Sequence, residues 1–240
     1  MAPSSSPPPP PSALFEPAPE PEVKVQVEVE VEAKPSPEID LTPEPLPAAP
    51  GAERLLLDIR EELGDCKRCR LHSGRKHLVF GDGSPRAPLV FVGEGPGFDE
   101  DQQGRPFVGR AGKLLDKMII AMGFLREEVY ICNVVKCRPP ENRTPNLDEI
   151  EVCSPFLLQQ LSAIHPWAIC ALGACAAQTL LGTSKPISQL RAKIHTWRGI
   201  PMVCTYHPAY LLRAPTQKAA VWRDLLLIHD LLRAEGRKGK

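Results

Sequence analysis

No uninterrupted apolar stretch of this sequence approaches the roughly 20 residues that a membrane-spanning helix requires. The first residues also lack the positive charge followed by an apolar segment that is typical of a secretory signal. We therefore expect no membrane partner and a cytoplasmic location. For such a chain, the eight cysteines are expected to bind a metal or to be buried as thiols before they form disulfides.

The chain has no net charge either, but this balance hides a strong asymmetry along its 240 residues. Residues 1–50 contain 15 of the 28 prolines, nine acidic residues and only two lysines, so their net charge is −7. Residues 51–240 carry 27 Lys and Arg against 20 Asp and Glu, a net charge of +7. A segment of that size can bury one substantial core. We therefore predict one basic globular domain over residues 51–240 behind an acidic tail over residues 1–50.

The tail contains too few large apolar residues to offset the entropy of ordering, and it is predicted to be disordered. Within it, residues 23–31 have valine at every second position, which is the alternation of a strand. One interpretation is a solvated, self-repelling acidic segment. The other is an acidic arm that folds over the basic domain and competes with a polyanion, or that binds a partner.

Strand-like apolar runs precede Gly93, Asn133 and Gly173, and helical patterns separate these runs. This alternation predicts an α/β fold of three layers, α/β/α, with a central, mostly parallel sheet. Binding sites in such sheets gather at the carboxyl ends of the strands. The polar segments that begin at Gly93 and at Asn133, both interpreted as loops, are therefore expected to share one cleft.

Four of the cysteines have a spacing that suits a metal site. Cys66 and Cys69 form a Cys-x2-Cys pair, and Cys137 and Cys153 follow in a segment rich in Pro, Asn and Arg that is interpreted as loop-like. Four thiolates suit either zinc or an iron–sulfur cluster, and the spacing does not choose between them. The alternative is that two or more of them are inert buried thiols. The other four cysteines lie in apolar strand runs or a small-residue helix and are predicted to be buried thiols: Cys132, Cys170, Cys175 and Cys204.

The segment "GEGPGFDEDQQGRPFVGRAG" begins at Gly93 and combines glycines, acidic residues and two phenylalanines. Glycines allow the backbone to approach a ligand closely. A phosphate-binding loop is disfavoured because the lysine and hydroxyl of a P-loop are missing and "FDED" would repel a triphosphate. Carboxylates suit general-base work or the stabilisation of a cation. Phe107 is either a core residue or a platform on which a flat ring stacks.

The segment "YHPAYLLR" places His207 after a strand-like run. It continues with an apolar tip, in which Leu211 and Leu212 precede Arg213. Such a tip can insert between bases while the arginine contacts a phosphate. The alternative is an ordinary turn that leads into the last helix.

Together, "GEGPGFDEDQQGRPFVGRAG", "NVVKCRPPENR", "YHPAYLLR" and the four spaced cysteines resemble the family 4 uracil-DNA glycosylases, the iron–sulfur members of their superfamily. The resemblance covers roughly residues 53–235. It implies a [4Fe–4S] cluster, rather than zinc, held by four thiolates: Cys66, Cys69, Cys137 and Cys153. It also implies a uracil-binding pocket built from six residues: Glu94, Gly95, Glu100, Phe107, Asn133 and His207.

The resemblance further implies that Phe107 stacks on the uracil, that Asn133 reads the edge of the base and that His207 meets a uracil carbonyl. These residue types suit the chemistry. Uracil has to leave the base stack before its glycosidic bond can be reached, and an asparagine amide can satisfy O4 and N3 of uracil together. A histidine donor can stabilise the negative charge that develops on uracil, and a carboxylate such as Glu94 can orient water. Glu94, Asn133 and His207 are therefore the expected catalytic residues.

The chain is thus expected to be a monomeric, monofunctional uracil-DNA glycosylase of base excision repair. It would act on single- or double-stranded DNA and associate with the nucleoid through DNA. Two departures from the family pattern, Phe98 and Ala192, affect the expected shape of the pocket. The rival hypotheses are a non-catalytic, metal-bearing DNA-binding module, a zinc protein of similar shape, and a glycosylase for another deaminated base such as hypoxanthine. Asn133 favours uracil over hypoxanthine.

Overall fold

The computed structural model describes residues 51–236 of the chain. The predicted acidic tail, with its valine alternation at 23–31, lies outside the described residues. Within the described residues the structure contains six strands: β1 (Asp82–Gly83), β2 (Leu89–Gly93), β3 (Tyr130–Asn133), β4 (Ala168–Leu172), β5 (Ile194–Trp197) and β6 (Ile200–Thr205). The same part of the chain contains eight α-helices: α1 (Ala52–Leu63), α2 (Phe98–Gln103), α3 (Arg110–Ala121), α4 (Leu147–Ile164), α5 (Ala174–Leu181), α6 (Ile187–Leu190), α7 (Pro208–Arg213) and α8 (Lys218–Gly236).

The six strands form one sheet in the order β1-β3-β2-β4-β6-β5. The four inner strands, β3, β2, β4 and β6, run parallel to one another, whereas β1 and β5 pair antiparallel at the two edges. The predicted α/β fold with a central, mostly parallel sheet is therefore confirmed.

The central strands are buried on both faces, which explains their continuous apolar sequences. All five residues of β2 and all five of β4 are buried, as is typical of parallel strands covered by helices on both sides. Successive strand residues belong to different core clusters. Val90 and Val92 pack in the cluster that contains α1, α4 and α5 side chains, whereas Leu89 and Phe91 pack in the cluster with α3 and α8. The two helical layers follow directly from this alternation.

Two segments that we interpreted as loops contain short helices. Helix α2 begins after Gly97, whose backbone N–H donates to the carboxylate of Glu100, and three acidic residues occupy its first turn. Acidic side chains stabilise a helix N-terminus. Helix α7 begins with Pro208, a residue favoured in the first turn because its missing N–H would have no helical partner.

The carboxyl ends of the parallel strands lie at one edge of the sheet. Gly93 at the end of β2 pairs with Asn133 at the end of β3. Beyond the strands the pairing continues, because the N–H of Val135 donates to the carbonyl oxygen of Glu94 at 3.1 Å. The segments that leave this edge carry the functional side chains. Among the described residues, no helix is both long enough and apolar enough to cross a membrane.

Candidate active site

A cleft of about 480 Å³ lies at this edge of the sheet, within the range of small-ligand sites. It is lined by all six residues of the expected uracil pocket: Glu94, Gly95, Glu100, Phe107, Asn133 and His207. The expected DNA contact Arg213 also lines it. The structure thus brings together side chains from four segments that are separated by up to about 120 positions in the sequence.

Asn133 ends β3 and is 1% exposed. Among the described residues, neither Oδ1 nor Nδ2 of its side chain has a hydrogen-bond partner. Nearly all buried polar groups in proteins are paired, and an unpaired one costs about 1–3 kcal/mol. An amide that lines a cleft and has no partner is therefore a donor and an acceptor that remain available to a ligand.

No residue larger than glycine fits at position 93, which pairs with Asn133 on the neighbouring strand. A Cβ atom at Gly93 would lie 2.4 Å from Oδ1 of Asn133 and 2.6 Å from the ring of Phe107. Both distances are shorter than side-chain contacts allow. The absence of a side chain at Gly93 is therefore what lets the amide and the aromatic ring approach each other at the floor of the cleft.

The ring of Phe107 lies 5.4 Å from the imidazole of His207, centroid to centroid, with a tilt of 32°. Phe107 has a φ angle of 52°, in the left-handed region that bulky residues seldom adopt. The guanidinium of Arg126 donates to the carbonyl oxygen of Phe107 at 3.2 Å and to that of Pro106 at 2.6 Å. These contacts with Arg126 thus stabilise an unfavourable backbone conformation at Phe107, which gives its ring one defined position.

Glu100 also stabilises the backbone next to Phe107. Its Oε1 accepts hydrogen bonds from the backbone N–H groups of Val108 and Gly109, both at 2.9 Å, and its Oε2 accepts one from Gly97 at 3.1 Å. Both oxygens of this carboxylate are therefore used in hydrogen bonds that stabilise the local backbone. Glu100 therefore lines the cleft as expected, but its hydrogen bonds indicate a role in positioning Phe107.

His207 precedes α7 and presents its imidazole to the cleft. The backbone N–H of Ala209 donates to its Nδ1 at 3.1 Å, which assigns the proton of the neutral ring to Nε2. Burial, with a smaller contribution from the charge of Arg213, lowers the pKa of His207 to about 4. Near neutral pH the residue is thus an uncharged N–H donor of defined tautomer.

Glu94 follows β2 and lies partly buried in the cleft. Burial raises the pKa of this carboxyl above its usual value, while the nearby Thr144 side chain acts in the opposite direction. A carboxylate in such surroundings accepts a proton more readily than one in water. Thr144 and its neighbour Arg143 also line the cleft. Neither residue is expected in the cleft from the sequence.

A buried polar network supports the end of β3, and no sequence pattern indicated it. Lys136 is fully buried, and its Nζ donates to the backbone carbonyl oxygen of Asn133 at 2.9 Å and to Oε1 of Gln160 at 2.6 Å. Nε2 of Gln160 in turn donates to the carbonyl oxygen of Phe80 and to the hydroxyl of Tyr130, both at 3.1 Å. The network holds the backbone from which the Asn133 amide projects.

The apolar tip differs from the expectation in one residue. Leu211 is 1% exposed and packs in the core cluster of α3 and α8, so it is not available to DNA in this conformation. The reason is the helical period of α7, which turns Pro208 and Leu211 to the same, buried side. Tyr210 and Leu212 are the exposed apolar side chains of this helix, 38% and 39% exposed.

The four cysteines predicted to bind a metal gather at one place in the fold. The guanidinium of Arg75 donates both to the carbonyl oxygen of Cys66, at 2.6 Å, and to Sγ of Cys137, and Cys69 and Cys66 lie near enough to Cys153 to add, after burial, to its raised pKa. Cys153 lies within α4, over a segment whose sequence also predicts a helix, whereas Cys137 lies in the polar segment that follows β3. All eight cysteines are free, and the four that we predicted to be buried thiols are buried: Cys132, Cys170, Cys175 and Cys204.

Nitrogen donors point at three of the four gathered sulfur atoms. The guanidinium of Arg68 donates to Sγ of Cys66, that of Arg75 to Sγ of Cys137, and the backbone N–H of Lys136 to Sγ of Cys153, each at 3.3 Å. Such donors suit sulfur atoms that carry negative charge. No group of three or more His, Cys, Asp or Glu side chains in residues 51–236 is arranged around a single-ion site.

Comparison with known proteins gives the relatives of this chain. The family model described as the Uracil DNA glycosylase superfamily matches residues 80–226. The chain is 44% identical to the Type-4 uracil-DNA glycosylase of Thermotoga maritima over 188 residues, which are 77% of this chain and 98% of that protein. It is 42% identical to that of Archaeoglobus fulgidus over 72% of this chain and 92% of the relative. A Type-5 uracil-DNA glycosylase of Pyrobaculum aerophilum is 35% identical over 86 residues, 35% of this chain and 37% of that protein.

Proposed function

The chain belongs to the type-4 uracil-DNA glycosylases of the uracil-DNA glycosylase superfamily, and on this basis we propose that it releases uracil from DNA and leaves an abasic site. The reaction is the hydrolysis of an N-glycosyl bond, the first step of base excision repair. The observation that carries the proposal is the unpartnered Asn133 amide on the cleft floor, beside an aromatic plate and a neutral histidine.

Asn133 supplies the recognition of the base. Its Nδ2 donates to O4 of uracil, and its Oδ1 accepts from N3–H. Cytosine presents a donor and an acceptor in the opposite order, so its binding would leave buried groups unpaired, which a site built on hydrogen bonds rejects strongly. Phe107 stacks on the flat face of the flipped uracil, and its constrained backbone holds the plate ready before the base arrives.

His207 and Glu94 carry the chemistry. As the bond between C1′ and N1 breaks, its electron pair moves onto uracil, and Nε2–H of His207 donates to O2, where negative charge develops. Removing one such donor typically costs on the order of 100- to 1,000-fold in rate. Water bonds to C1′ of the sugar, and Glu94 orients that water and accepts its proton, for which the raised pKa is suited.

The gathered cysteines are the proposed ligands of a [4Fe–4S] cluster: Cys66, Cys69, Cys137 and Cys153. Two observations support the fit, namely the common location of the four thiols and the nitrogen donors at three of the sulfurs. A cluster of four irons is wider than one ion, so its thiolates need not converge on a single-ion site. The bound cluster would link the segment after α1 to the end of β3 and to α4, as a structural group.

Metal analysis tests this assignment. The purified protein is expected to be brown and to contain iron and sulfide, and Cys137→Ser is expected to lose both and to unfold at a lower temperature. Cys170→Ser is the matched control, because this buried thiol lies in the other core cluster. A colourless protein with zinc in place of iron would overturn the cluster assignment in favour of the zinc alternative.

DNA is the proposed partner, in single- or double-stranded form. The net charge of +7 on residues 51–240 suits a polyanion and predicts an affinity that falls with salt. Arg213, exposed Leu212 and Tyr210 lie where α7 borders the cleft and are the proposed contacts of that helix with DNA. A monomeric state, a cytoplasmic, nucleoid-associated location and a contact of the acidic tail with the domain or a partner are further proposals.

The decisive experiment measures base release from labelled single-stranded oligonucleotides that carry one uracil, thymine, cytosine or hypoxanthine. Breakage by alkali is expected at uracil alone, and Asn133→Ala and His207→Ala are expected to reduce it at least about 100-fold. Binding of uracil-containing DNA without any release would favour the non-catalytic DNA-binding module. Release of hypoxanthine in preference to uracil would favour the other branch of the superfamily.

A further inference from the structure

We propose that Phe98 and Arg138 form a stacking platform for an unpaired base that neighbours the flipped uracil in single-stranded DNA. The platform extends the site proposed above and therefore rests on that function. Neither residue belongs to the uracil pocket.

The first observation is the exposure of an aromatic side chain beside the cleft. Phe98 opens α2 and is 56% exposed, an unusual state for a phenylalanine. Its neighbour Gly97 lines the cleft. The side chain thus adds apolar surface at the rim of the site.

The second observation is that a cation from the opposite rim stacks on this ring. The guanidinium carbon of Arg138 lies 5.1 Å from the centroid of the Phe98 ring. Arg138 directly precedes Pro139, which lines the cleft from the segment after β3. The pair therefore bridges the segments that follow β2 and β3, immediately outside the pocket.

The guanidinium is also held in place. Nε of Arg138 donates to Oδ1 of Asn142 at 2.7 Å, and Asn142 lines the cleft. Within residues 51–236 the two Nη groups of Arg138 have neither a hydrogen bond nor an ion pair. They are available to a phosphate, for which the planar guanidinium fork is well suited.

An aromatic ring with a guanidinium on one face can stack a base on the other. Stacking of a base on an aromatic side chain contributes about 1–3 kcal/mol in single-strand binding proteins and is tolerant of sequence. A base within a duplex is already stacked and paired. The platform therefore fits an unpaired nucleotide, and its continuity with the uracil pocket makes that nucleotide a direct neighbour of uracil on the same strand.

The test compares two single-stranded substrates. In one, normal bases flank the uracil, and in the other, abasic spacers replace the flanking bases while the phosphates remain. Phe98→Ala is expected to raise KM about tenfold on the first substrate, which corresponds to about 1.4 kcal/mol of lost stacking, and to leave kcat unchanged. On the spacer substrate the variant and the wild type should have the same KM.

Two further variants serve as controls, and a third tests the role of Arg138. Phe98→Tyr keeps an aromatic ring and should retain the wild-type KM. Ile120→Ala removes an apolar side chain that is 65% exposed on α3 and lines no part of the cleft, and it should behave as wild type on both substrates. Arg138→Gln should raise KM on both substrates, since it also loses a phosphate contact.

A binding measurement separates the platform from the proposed catalysis. The DNA for this measurement carries the fluorescent base 2-aminopurine next to a uracil nucleotide with fluorine at C2′, a nucleotide that resists hydrolysis. The fluorescence of 2-aminopurine should be quenched by the wild-type protein and not by Phe98→Ala. The platform would be refuted if Phe98→Ala raised KM equally for both substrates, or for neither, and if 2-aminopurine were still quenched by this variant. Quenching without any uracil release from ordinary DNA would instead refute the proposed function and leave the platform standing.

Discussion

Gly93 and Asn133 face each other across β2 and β3, so closely that a Cβ atom on the glycine would lie 2.4 Å from Oδ1 of the amide. This relationship predicts that Gly93→Ala displaces both the amide and the Phe107 ring. We expect uracil release to fall at least about 100-fold and the free energy of unfolding to fall by about 1–3 kcal/mol because of overpacking. Gly74→Ala is the matched control, since nothing lies within 4 Å of its added Cβ and its φ is negative. Equal activity of the two variants would contradict the proposed floor of the cleft.

The unpaired amide of Asn133 predicts a separation of stability from activity. Asn133→Ala removes a buried polar group that has no partner in the folded protein, so the free energy of unfolding should stay unchanged or rise. Base release should nevertheless be almost lost. Urea unfolding and single-turnover assays on one preparation check both statements. A clear loss of stability would mean that the amide has a structural partner.

The raised pKa of Glu94 predicts how the rate depends on pH. The carboxylate form is the active one, so the rate should fall as the pH drops through a midpoint above the usual value of 4.5 for glutamate. His207, with a pKa of about 4, stays neutral through this step. Profiles of kcat/KM between pH 4.5 and 8 for the wild type, for Glu94→Gln and for the exposed control Asp99→Asn would show it. Glu94→Gln should have a low kcat/KM that no longer falls at low pH in this way. If the fall persisted in Glu94→Gln, the titration would belong to another group.

Glu100 should act through the position of Phe107. In Glu100→Gln the side-chain nitrogen cannot accept a hydrogen bond, so the backbone N–H groups at 97, 108 and 109 are no longer all satisfied. We expect a loss of about 1–3 kcal/mol in stability together with a raised KM for uracil-containing DNA. Glu127→Gln, at an exposed carboxylate without a hydrogen bond in the described structure, is the control. An unchanged KM in Glu100→Gln would show that Phe107 is held by its other contacts alone.

Much of the fold was predictable because apolar runs and helical periods are local signals. The strands that end at Gly93, Asn133 and Leu172 were recognised from their continuous apolar residues, which parallel central strands require. Helices α2 and α7 were not predicted. They are only six residues long, and their starts depend on a capping carboxylate and on Pro208, whereas their polar or mixed sequences are equally compatible with loops.

Sequence motifs identify the candidate pocket residues, but they do not reveal which side chains are buried or what their hydrogen-bond partners are. Burial decides that Leu211 belongs to the core although it stands between two exposed neighbours. The fully buried Lys136 looks like any strand-end lysine in the sequence, because its partner Gln160 lies 24 residues further along the chain. Such long-range pairings depend on how the elements pack.

The alternation of strands and helices, the acidic and basic segments, the spacing of four cysteines and the identity of the groups at the strand ends follow from the sequence alone. These are properties of neighbouring residues, and local physics is enough to interpret them. Packing of the described residues is needed to show that the amide of Asn133 has no partner among them, that Glu100 accepts from three backbone N–H groups and that Arg138 stacks on Phe98. The stacking of Arg138 on Phe98 depends on segments that meet because parallel strands bring their carboxyl ends to one edge of the sheet, whereas the hydrogen bonds of Glu100 depend on how the segment after β2 folds back on itself.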